Sequence, residues 1–185
     1  MDCLEAIQTR HSIAKVKPDP LPRDLIVRLL DAAVQAPNHH HSRPWRFVVI
    51  AGPARERLGE VMARSLRLQK TGLPDSALDN ERAKPLRAPV LIAVAVEKSS
   101  DPHVLEIEDV CASAAAVENL LLAAHALGLG AMWRTGSAAS DPLVKEFLGL
   151  APDWPLIGFI YIGYPDTQAD FRTRPSAEDR TAWLD

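Results

Sequence analysis

Three short stretches of this chain hold residue types that bind or transform ligands. Arg10-His11-Ser12 places a guanidinium fork, an imidazole and a hydroxyl side by side, a donor set suited to gripping a phosphate monoester. Its plainer reading is a helix C-terminus at which a cation answers the macrodipole. The second stretch runs Ala36-Pro37-Asn38-His39-His40-His41-Ser42-Arg43-Pro44-Trp45 and brings three consecutive imidazoles, which are common ligands for zinc, copper and nickel. Spacing argues against a metal: adjacent side chains of an extended segment point to opposite sides, and no Cys, His or acid three or four residues on completes a tetrahedral set. No metal site is expected. The third stretch, Trp133-Arg134-Thr135-Gly136, joins a large aromatic, a cation and a hydroxyl to a glycine that permits close approach of a ligand to backbone. Here the rival is a strand-to-loop turn with one core aromatic.

The elements that must position these stretches follow from periodicity. Asp2 and Glu5 have the spacing of a capping box, and Leu4 and Ile7 give a short apolar face, so a first helix to about Thr9 delivers Arg10 and Ser12 just past its end. A second helix starts around Pro22, buries Ile26, Leu29, Leu30, Ala33 and Val34, and stops before Pro37. A strand over Phe47 to Ile50 and a helix marked by Leu58, Val61, Met62 and Ser65 come next. Residues 69–83 are polar and broken by Gly72 and Pro74, which predicts a mobile loop with one helical turn at most, in the position of a lid.

Val90 to Val96 is a continuous apolar run without alternation and predicts a central strand covered on both faces. Ile107 to Leu127 predicts the longest helix, apolar nearly all round and ended by Gly128 and Gly130. A strand at Ala131 to Arg134, a short helix from Asp141 to Leu148 and a last strand from Leu156 to Ile162 complete an α+β layered domain. The polar tail beyond Pro165 ends in Ala182-Trp183-Leu184, apolar residues that dock on something, a second subunit being one partner.

Bulk properties set bounds on function. A chain of 185 residues with 47% hydrophobic content fills one core, so residues 1–185 are read as a single domain. The net charge of −3 and pI near 6.1 give no general attraction to a polyanion, and nucleic-acid binding is not expected. Two cysteines, Cys3 and Cys111, lack the spacing of a secreted disulfide scaffold, and the acidic N-terminus does not read as a signal peptide. The longest apolar run is too short to span a bilayer. A cytoplasmic, membrane-free protein is the expectation. No Ser-His-Asp order or phosphate-binding glycine loop occurs, and Gly128-Leu129-Gly130 lacks the strand that a dinucleotide fingerprint needs before it.

In order and spacing, the three stretches together resemble the flavin site of the nitroreductase family, and the resemblance extends from Met1 to about Pro165. It implies a layered α+β fold with a central, mostly antiparallel sheet flanked by helices, and a homodimer with FMN at the interface. It implies that Arg10, His11 and Ser12 open the FMN site, that Trp133, Arg134 and Thr135 run beside the flavin ring, and that Gln35 and His39 hold the ring, often from the partner subunit. Asn38 and His41 stand behind those two. Where many relatives carry a lysine two residues after the serine, this chain has Ala14, with Lys15 one step later; where they carry Gln before Pro-Trp, it has Arg43. Arg172 and Arg174 in the tail are either further phosphate ligands or solvated cations.

The implied activity is an FMN-dependent oxidoreductase that uses NADH or NADPH to reduce nitroaromatic or quinone-type acceptors by ping-pong hydride transfer. No protein side chain is expected to be catalytic in the strict sense, because the flavin carries the chemistry. Reductive dehalogenation on the same scaffold, a flavin-binding redox sensor without turnover, and a metal-binding module built on the histidine run are the alternatives.

Overall fold

The fold follows from one strand that is apolar on both faces. In the computed structural model, which describes residues 1–167 and 174–184, four strands form a single sheet: β1 (Trp45–Ala51), β2 (Val90–Val96), β3 (Gly130–Arg134) and β4 (Leu156–Gly163). Their order is β1-β2-β4-β3, and every neighbouring pair is antiparallel. Val90, Ile92 and Val94 of β2 pack into one helical layer, and Leu91, Ala93 and Ala95 into the other. This double coverage explains why the run shows no alternation.

The first layer holds α2 (Arg23–Ala33) and the long α5 (Glu106–Ala126), whose Leu29, Ala116, Val117 and Leu120 are fully buried. The second holds α3 (Pro53–Gln69), α4 (Asp75–Ala83) and α6 (Pro142–Phe147), with Leu58 and Val144 as fully buried anchors. Each such side chain withdrawn from water contributes about 1.5–3 kcal/mol before cavity and strain effects. β3 lies at the sheet edge, and its alternation decides the site: Ala131 and Trp133 face the α5 layer, whereas Arg134 lies over Tyr161 on the α3 side.

Local signals end the elements as expected. Asp2 and Glu5 form the capping box of α1 (Cys3–Thr9). Asp141 accepts from the amides of Leu143 and Val144 at 2.9 and 3.2 Å and so starts α6. Three acidic residues in the first turn of α5 suit the positive end of its dipole, and Gly128, at φ +74°, closes its other end.

Past α1 the chain forms a strap across the ends of β3 and β4, with Ile13 N–H on Ala131 O at 3.0 Å and Lys17 N–H on Tyr164 O at 2.8 Å. Gly163 makes room for this crossing, since a Cβ there would lie 2.8 Å from Val16 Cβ. The strap fixes Arg10-His11-Ser12 against the sheet edge.

Three expectations are corrected. Residues 75–83 form a helix, not a loop with one turn. It docks through buried Leu78, and α3 accepts it so closely at Gly59 that a Cβ there would lie 2.3 Å from Arg82 O. Val34, expected in the core, is exposed because α2 ends at Ala33 and Val34 is already its cap. α5 is also not covered all round: Ile107 is 64% exposed, and Cys111 is exposed.

Candidate functional site

One face of α5 organises two of the three stretches. Glu108, Cys111, Ala115, Glu118 and His125 recur at helical spacing, and this stripe touches first the histidine loop and then the end of α1. At the α1 end, Arg10 Nε donates to Glu118 Oε1 at 3.1 Å, with the Arg10 side chain mostly withdrawn from solvent. This bond aims the guanidinium while leaving its two terminal amino groups without a protein partner among the described residues. Ser12 is exposed. Arg174 folds back from the tail and donates to Arg10 O at 2.8 Å, which brings a second guanidinium to the triplet. Arg172 lies outside the described residues.

Behind the triplet, a chain of hydrogen bonds ties α1 to the last turn of α5. His125 Nε2–H donates to Thr9 Oγ1 at 2.8 Å, and the Thr9 hydroxyl donates in turn to Glu5 O. Burial pushes the His125 pKa down from its usual 6.5, and the neighbouring His11 and Arg10 push it the same way. The His11 ring meets the His125 ring edge-on at 6.1 Å. Because His11 Nδ1 faces the Thr9 carbonyl at 2.8 Å, that nitrogen carries a proton, and the buried Nε2 is left without a partner. Two guanidinium groups and an exposed hydroxyl therefore gather at the end of α1, a donor set that fits the phosphate of a mononucleotide, with the His11 ring turned to the Thr9 carbonyl behind them.

The histidine loop is held from below. Ser42 Oγ donates to the buried carboxylate of Asp109 at 2.6 Å, and Arg43 N–H donates to Asn38 Oδ1 at 3.1 Å. His40, His41 and Arg43 all take positive φ, near +50°, a backbone strain that these two anchors maintain. His39 Nδ1 stands 3.7 Å from Glu108 Oε1, and Glu108 Oε2 is buried without a partner. Together with Pro37, Ile107, Cys111 and Ala115, these residues line an open groove of about 640 Å³. Gln35 is exposed and donates to Asp31 O at 3.2 Å. Glu108 and Glu118 are ten residues apart on α5, about 15 Å by helix rise. Within one chain the loop and the triplet thus share a helix face at positions about 15 Å apart along it.

The third stretch divides across the sheet. The Trp133 indole N–H donates to Ile157 O at 3.0 Å and covers Gly158, where a Cβ would lie 2.5 Å from the indole nitrogen. That side chain is committed to the fold, so ligand contact there falls to the backbone. Arg134 lies 5.5 Å above the Tyr161 ring centroid, and with Thr135 and Gly136 it lines a cavity of about 200 Å³. Lys84 and Arg87 line the same cavity from the short turn before β2. Sequence reasoning missed both; their signal is a basic pair three residues apart around Pro85, next to a strand that must be buried. Glu118, His125 and Asp109 were missed as well, since nothing in their spacing ties them to α1 or to the loop. Among the described residues no three His, Cys, Asp or Glu groups gather as metal ligands, and no helix is long and apolar enough to cross a membrane.

Comparison with known proteins bears on the family and the fold. Residues 7–164 match the model of the family described as "Nitroreductase family". An Escherichia coli K12 protein named "Putative NAD(P)H nitroreductase YdjA" is 33% identical over 170 residues, 91% of each chain. A solved "Nitroreductase-like Family Protein" from Bacillus cereus superposes with a TM-score of 0.83 at 26% identity, covering 100% of this chain and 96% of the other. A Desulfovibrio desulfuricans protein, described as a "putative nitroreductase in complex with fmn", superposes at 0.73 with 28% identity, covering 95% of this chain and 92% of that one.

Proposed function

The chain belongs to the nitroreductase family, and from that premise we propose that it is an FMN-dependent oxidoreductase that draws on NAD(P)H to reduce nitroaromatic or quinone-type acceptors. One observation carries the reading: Arg10 is anchored to Glu118 through Nε alone, so its terminal amino groups are presented together with the Ser12 hydroxyl at the end of α1. When bound, FMN supplies the two-electron chemistry between nicotinamide and acceptor. The chain's own residues do the rest.

Arg10 and Ser12, joined by Arg174, hold the phosphate through charge-assisted bonds, and His11 contributes its backbone while its ring stays bonded to the Thr9 carbonyl. Trp133 and Thr135 present backbone and hydroxyl beside the ring. Arg134 supplies positive potential in a partly enclosed cavity, where it stabilises negative charge more than in open water. Gln35 and His39 act from a second copy of the chain, because within one copy the loop stands about 15 Å along α5 from the triplet. Leu4 and Ile7 on α1 and Leu105 and Ile107 at the start of α5 remain exposed, apolar surface that a homodimer would cover.

The function is tested by anaerobic NAD(P)H consumption by the FMN-loaded protein, with and without a quinone or a nitroaromatic. Acceptor-dependent consumption well above that of free FMN is expected. Consumption no faster than free FMN would favour a flavin-binding sensor without turnover.

A further inference from the structure

The cavity beneath the end of β3 has a chemistry that cofactor binding alone does not explain. Arg134 and Arg87 both line it, and neither makes an ion pair or a side-chain hydrogen bond among the described residues. Lys84, the third cation, is paired with Glu81. Two guanidinium groups thus border a space of about 200 Å³ without an ion-pair partner among the described residues, Arg87 exposed and Arg134 half-buried over the Tyr161 ring, and both are open to an incoming anion. The lining is apolar in part, through Leu58, Met62 and Phe159. Tyr161 closes the floor as a neutral hydroxyl donor, its pKa raised by burial against the opposing pull of Arg134 and Arg87.

We propose that this cavity is a recognition pocket for a small aromatic acid, with the carboxylate between Arg87 and Arg134 and the ring against Leu58, Met62 and Phe159. The size selects the class: the space is below the range of about 300–1,000 Å³ typical of drug-sized ligands and suits a single ring with one acidic group. Guanidinium forks favour a planar carboxylate over a neutral amide of the same shape. The proposal rests on the cofactor reading in one respect: Thr135 and Gly136 border both the cavity and the stretch assigned to the flavin. An acid held here is therefore placed as the acceptor or as the anionic end of one.

The test is equilibrium binding of benzoate and of benzamide to the FMN-loaded protein by titration calorimetry, with FMN content recorded separately from absorbance. Benzoate should bind at least about tenfold more tightly than benzamide, the size of one charge-assisted contact. Arg87→Gln should remove that preference and leave benzamide binding and FMN content unchanged, and Arg87→Lys should restore part of it. Equal affinity for the two probes would overturn the proposal, as would an Arg87→Gln protein that still prefers benzoate. Loss of FMN from Arg87→Gln would overturn it too, by making the cavity part of the cofactor's seat. A wild-type protein that takes up no FMN yet prefers benzoate would support the pocket and overturn the cofactor reading instead.

Discussion

Arg10 is the residue on which most depends, because it joins α1, α5 and the proposed phosphate seat. Arg10→Ala should weaken FMN retention by about 1.5–3 kcal/mol, roughly a ten- to hundredfold rise in Kd. Fluorescence titration with FMN reads this directly, and an unchanged Kd would remove Arg10 from the site. His125 gives a pH dependence whose sign is fixed by its depressed pKa. Below 6.5 the unfolded chain takes up a proton that the native His125 resists, so stability is retained above 6.5 and declines as the pH falls from there towards the folded value. His125→Gln should flatten this part of the stability profile, as measured by thermal denaturation on either side of that pH. A profile that keeps its full slope in the variant would assign the acid sensitivity to other groups.

At the scale of elements, the packing of α4 on α3 is a close approach of backbone to backbone. Gly59→Ala sets a methyl against Arg82 O and should destabilise the protein by about 1–3 kcal/mol, read as a lower Tm. This element also marks the limit of what the sequence makes legible. β2 and α5 are plain because long apolar runs leave few alternatives, and the capping residues Asp2 and Asp141 stand where the side-chain chemistry requires them. α4 is hidden because Leu78 is its only buried residue, too little to set up a period. The three candidate stretches stand out by residue type, but their distribution over the fold does not. Arg134 and Lys84 lie fifty positions apart in the chain and meet only because β3 alternates across the sheet. Trp133 is withdrawn from ligand contact by Gly158, a partner on another strand that no local pattern indicates.

At the scale of the whole molecule, the proposed flavin site draws on two copies of the chain. The histidine loop and the triplet proposed to hold phosphate occupy different positions along the same α5 face, and the apolar side chains of α1 and of the start of α5 are uncovered in one chain. Ile107→Glu puts a charge into the surface proposed to be shared and should shift the protein from dimer to monomer, with lower FMN content, as read by sedimentation velocity and absorbance. A wild-type monomer that holds FMN fully would contradict the shared site. Flavin binding by this chain is read most directly from the visible spectrum of the purified, FMN-supplemented protein after gel filtration, followed by anaerobic addition of NADH or NADPH. Retained flavin bands that bleach on addition of one nicotinamide are the predicted result. A colourless protein that has released all added FMN would contradict it.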